Sequence, residues 1–127
     1  MSGARRAAFN ELKKQVDKYR GELGNIHNTI EDYQQKAEKF PRSRYIHDKM
    51  TQLKAIAGLL LQEAEDANNL IGEIEIVLDD HRKAEQKVKE LFDLLEECRK
   101  HVAGAEALEK EINWSEPIFL DSELTNI

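Results

Sequence analysis

The sequence predicts an all-α fold: an antiparallel helical hairpin or coiled coil whose second helix is long. Three observations point there. Charged residues make up 35% of the 127 positions, with only six Gly and two Pro. Ala, Glu, Lys, Leu and Arg dominate, a composition typical of long helices and against a Rossmann fold, a β-sandwich or a β-barrel. Apolar residues recur at alternating intervals of three and four along most of the chain, the spacing that keeps one face of a helix buried.

The first helix is expected over about residues 4–39. Phe9, Val16, Leu23, Ile30 and Ala37 occupy one heptad position, and Leu12, Tyr19, Ile26, Tyr33 and Phe40 the other. Such a 3.5-residue repeat makes a coiled-coil seam. Its aromatic d residues fit the wide interior of three or four helices better than a two-stranded zipper. Gly21 and Gly24 interrupt the helix without disturbing the phase; each costs up to ~1 kcal/mol relative to Ala and marks a bend or a close backbone approach. Phe40-Pro41-Arg42-Ser43 ends the helix. Pro41 disfavours helix at Phe40, and Ser43 is a good N-cap for the next one. So short a connection implies an antiparallel hairpin.

The second stripe runs Ile46, Met50, Leu53, Ala57, Leu60, Ala64, Ala67, Ile71, Ile74, Leu78. Ile56, Leu59, Leu61, Leu70, Ile76 and Val77 widen it, as expected of a helix touched by more than one neighbour. A further stripe follows: Ala84, Val88, Leu91, Leu95, Cys98, Val102, Ala105. Between them stands Asp79-Asp80-His81-Arg82, with no Gly, Pro or Asn. Acids at a helix C-terminus and bases at an N-terminus oppose the macrodipole, and in an unbroken helix Asp79 would face Lys83. One helix over about residues 44–110 is therefore expected, ~100 Å long against ~50 Å for the first. The alternative is an up-down-up three-helix bundle with a turn at 79–82 and Asp80 as N-cap, favoured by the equality of its arms. The domain is expected to span residues 1–112, with residues 113–127 an extended or disordered tail.

Chemistry is sparse. The sequence has no phosphate loop, nucleophile elbow or His-Glu-x-x-His pair, so no enzyme, cofactor or small-molecule substrate is expected. Cys98, Glu97 and His101 make half a metal site at best, and no metal is expected. The carboxylates Glu63, Glu65 and Asp66 lack the paired Glu-x-x-His motifs of di-metal bundles. His81 falls on the seam, where a polar layer would set register.

The function expected is association: a helical scaffold, adaptor or tether subunit, self-associating as a dimer or joined to a helical partner. The interface residues are Leu12, Val16, Tyr19, Leu23, Ile26, Ile30 and Tyr33, and the far stripe Val88, Leu91, Leu95, Cys98 and Val102. If the second helix is single, that far stripe is bare and must find a partner. Lys36, Lys39, Arg42, Arg44 and Lys49 surround the hairpin tip and offer the alternative of a nucleic-acid or anionic-membrane surface; a capsid-precursor-like self-assembly segment is a third. Charge divides along the chain, twelve Lys/Arg against seven Asp/Glu in residues 1–60 and seven against eighteen in residues 61–127, which could steer subunits head to tail. Trp114, Ile118, Phe119 and Leu120 either pack back on the helices or dock elsewhere. A single cysteine and the lack of an apolar leader or membrane-length run suggest the cytosol or another reducing compartment.

Overall fold

The computed structural model describes residues 3–114, and within them every regular element is helical: α1 Gly3–Ala37, α2 Arg44–Val77 and α3 His81–Glu111. The all-α expectation holds. The single helix over 44–110 does not form, and the three-helix alternative does. Cross-links between helices set the directions. Arg6 meets Glu75 at the open end of the α1/α2 pair, while Lys87–Glu73 and Lys49–Glu111 tie opposite ends of α2 and α3. Thus α2 runs antiparallel to both neighbours, and α1 lies parallel to α3.

The first turn forms as expected. Ser43 is the N-cap of α2, its hydroxyl accepting from the Ile46 amide at 3.2 Å. The second turn has a cause that local rules do not contain. Leu78 closes α2 and turns into the core, and Asp80 caps α3 by accepting from the Lys83 amide at 3.2 Å. The positive charge that the α2 C-terminus lacks in its own last turn comes from α1. The Arg5 guanidinium donates to the Leu78 carbonyl at 3.0 Å and lies 3.0 Å from His81 Nδ1. A cation there satisfies an orphan carbonyl and offsets the dipole. His81 is therefore an exposed first-turn residue, with a side chain 73% accessible, and not a polar layer of the seam.

The heptad residues of α1 from Phe9 to Ile30 are buried. They meet α2, which is packed on both sides and buries nine residues from Ile46 to Ile74. Its breadth is less than the sequence suggested, because Leu59, Leu61 and Ile76 face outward. The stripe of α3 closes the core: Leu91, Leu95, Cys98 and Val102 are buried and Val88 is half-buried. These residues belong to or pack against the core of the single chain. The bare far stripe expected of a single long helix does not form.

Gly21 and Gly24 mark no close approach. α1 passes through both, their φ angles are negative, and a Cβ at either would meet nothing within 4 Å. Gly21→Ala and Gly24→Ala should each stabilise the protein by ~0.5–1 kcal/mol, chiefly by reducing the freedom of the unfolded chain. Urea denaturation checks this; destabilisation by either variant would mean that the position is packed.

Candidate functional site

Because α1 and α3 both pack principally on α2, they meet each other along a shorter line. The seam between them opens into a hollow of about 490 Å³ toward the α1 N-terminus. α1 supplies Ala8, Glu11, Leu12, Gln15 and Tyr19, and α3 supplies Val88, Phe92, Leu95 and Glu96. The walls are apolar and the acids stand at the rim. Phe92 is 57% exposed and forms a ridge between this hollow and a shallower one along Arg82, Glu85 and Lys89. An apolar groove with a bare aromatic on its lip is a surface that tends to find a partner.

Local order around the groove is held by ordinary means. Glu96 accepts from Arg99 Nε at 3.0 Å, which holds its carboxyl below the usual range. Burial raises the Tyr19 hydroxyl above its ordinary value, so the ring is neutral at physiological pH. Phe92 was not singled out by sequence periodicity, since it stands one place beyond Leu91 and off the α3 stripe. That offset is itself the signal: a large apolar residue outside the buried spacing.

At the far end of the same seam, Trp114 leaves α3 and lies on α1. Its ring meets Tyr33 edge to face at 5.2 Å and 75°, and Lys36 Nζ is 5.3 Å from its centre. Tyr45 fixes the exit by accepting from the Asn113 amide at 2.8 Å. Of the expected tail residues, Trp114 is thus packed on the bundle. Ile118, Phe119 and Leu120 lie outside the described residues.

Lys49 is paired with Glu111 at 2.6 Å, and Lys36 stacks on Tyr33 and Trp114. Lys39, Arg42 and Arg44 stand at the exposed turn.

Among the described residues, Glu63, Glu97 and His101 are the group able to offer a cation three ligand atoms, all within 4.8 Å of one another. The sequence linked His101 to Cys98; the structure instead pairs His101 Nδ1 with Glu63 of α2 at 2.6 Å. Lys100 accompanies Glu97 at 3.5 Å, so each member of the cluster has a partner within the protein. Cys98 is fully buried, and that burial, with Glu63 nearby, pushes its thiol up to about 11. It is a neutral core group, opposite in character to a nucleophilic cysteine.

Comparison with protein families, with curated proteins and with solved structures returns no match to this chain. No helix among the described residues is long and apolar enough to cross a membrane. The groove, with its exposed ring, is the surface from which a function can be argued.

Proposed function

We propose that this protein is a non-catalytic interaction module that receives an amphipathic helix of another subunit between α1 and α3. The observation that supports this reading is Phe92, an exposed aromatic on the lip of an apolar hollow. The hollow lies between two parallel helices backed by a third, so an added helix would complete a four-helix bundle. The aromatic seam residues Phe9 and Tyr19 suit that wider interior. Burying Phe92 and Val88 gives the partner a central apolar anchor, and Glu11, Gln15 and Glu96 leave a polar rim.

A photoreactive benzoylphenylalanine at position 92, in extract of the protein's native cells, should form covalent adducts with another polypeptide chain. The modified peptide should map to the apolar face of a helix. The same group at Leu59, exposed on α2, is the control. Equal adduct yields at the two positions would overturn the assignment. Against the partner so identified, Phe92→Ala should weaken binding about 30-fold, the effect of losing a central aromatic anchor.

A further inference from the structure

We propose that the partner helix is α3 of a second copy of this chain, docked antiparallel on α3 so that the two α1/α3 grooves face each other across a two-fold axis at Phe92. The proposal rests on the groove being a docking site, and names its occupant.

Charge is the first argument. Glu85, Phe92 and Arg99 follow one another at intervals of seven on the outer face of α3, and all three are exposed. Seven residues make about two turns, so the three stand nearly in one line along the helix. The line carries an anion, an aromatic ring and a cation, with the ring at its centre. Turning a second copy end for end about Phe92 lays each Glu85 opposite the other chain's Arg99, ~10 Å to either side of the axis. A parallel copy would set like charges against each other. Lys89 and Glu96 stand three residues before and four after Phe92, both on one flank of the line, ~40–60° from it. The same rotation brings each Lys89 to within ~1.5 Å of the other chain's Glu96 in height. These four charges sum to zero, so two copies meet here without the repulsion that the chain's net charge of −6 sets up elsewhere. The local pairs Arg99–Glu96 and His81–Glu85 are exposed and contribute little by themselves; they leave the charges on this face.

Shape is the second argument. Phe92 stands on the lip of the hollow of about 490 Å³ between α1 and α3, a projection beside a recess. In an isologous contact the same patch serves both copies, so each ring enters the other's groove and two exposed rings leave water together. The half-buried Val88 is covered by the same step. With α1 and α3 from each copy, the two seams close into a four-helix core, and α2 stays on the outside.

Charge reversal in the full chain tests the pairing, read as mass by sedimentation equilibrium up to ~100 μM, a range that spans micromolar affinity. The native chain should be a dimer at the upper end. Glu85→Arg alone sets cations opposite one another at both ends of the interface, and Arg99→Glu alone sets anions there. Each should raise the dimer Kd at least tenfold. Mixed in equal amounts, the two variants should pair with each other at close to the native Kd, because every opposed pair is again of unlike sign. Both positions are exposed, so both variants should keep the native circular dichroism. A monomeric native chain, single variants that dimerise as the native chain does, or a mixture that stays monomeric would each overturn the proposal. A monomer whose position 92 still captures a different polypeptide removes only the second copy. A position 92 that captures no chain above the Leu59 control removes the docking site itself.

Discussion

Leu91→Asp is expected to unfold this protein, not to separate one folded chain from another. Leu91 is fully buried in the hydrophobic core. A carboxylate there would have no cationic partner, and an unpaired buried charge costs several kcal/mol. A domain of this size has roughly 5–15 kcal/mol in all. Most of the helical circular dichroism should therefore be lost at 25 °C. Leu95→Glu should do less harm, because Leu95 borders the groove and a longer side chain can carry its carboxylate outward. A Leu91→Asp chain that keeps full helicity while halving its mass in light scattering would instead make the α3 stripe an interface between chains, and the bundle would be wrong.

The contrast between α1 and the α2/α3 junction shows what a sequence can carry. The seam of α1 is local. Its phase is written at intervals of three and four, and Phe9 through Ile30 are buried at those positions. The turn at Pro41 and Ser43 is local too, because a ring and a hydroxyl act on their own backbone. The turn at Leu78–Asp80 is not. Its acidic flank argues for continuity until Arg5, at a sequence separation of 73, caps the Leu78 carbonyl. No window of helix rules spans that distance. The contact of His101 with Glu63 is likewise a product of packing, across a separation of 38. The groove was partly legible. Leu12, Tyr19, Val88 and Leu95 stood among the expected interface residues, and they line it. Which side of each stripe α2 leaves open depends on how three helices are rotated about one another, and periodicity within one helix does not specify that.

A charge moved by one position along α1 should separate a folded protein from an unfolded one. Ile26 is buried against the bundle interior, and Asn25 beside it is exposed. Neighbours on a helix lie about 100° apart, since ~3.6 residues complete a turn. Ile26→Asp thus drives a carboxylate into the core, whereas Asn25→Asp leaves it in water. The first should abolish the cooperative thermal transition; the second should shift stability by no more than ~0.5 kcal/mol, as surface substitutions do. Ile26→Ala gives the graded form of the test. It removes buried methyl groups without adding charge and should cost ~2–5 kcal/mol. At ~2–8 °C per kcal/mol for a domain near this size, Tm should fall by at least several degrees. Equal Tm values for Ile26→Asp and Asn25→Asp would show that Ile26 does not face the core and that the heptad register of α1 is misassigned.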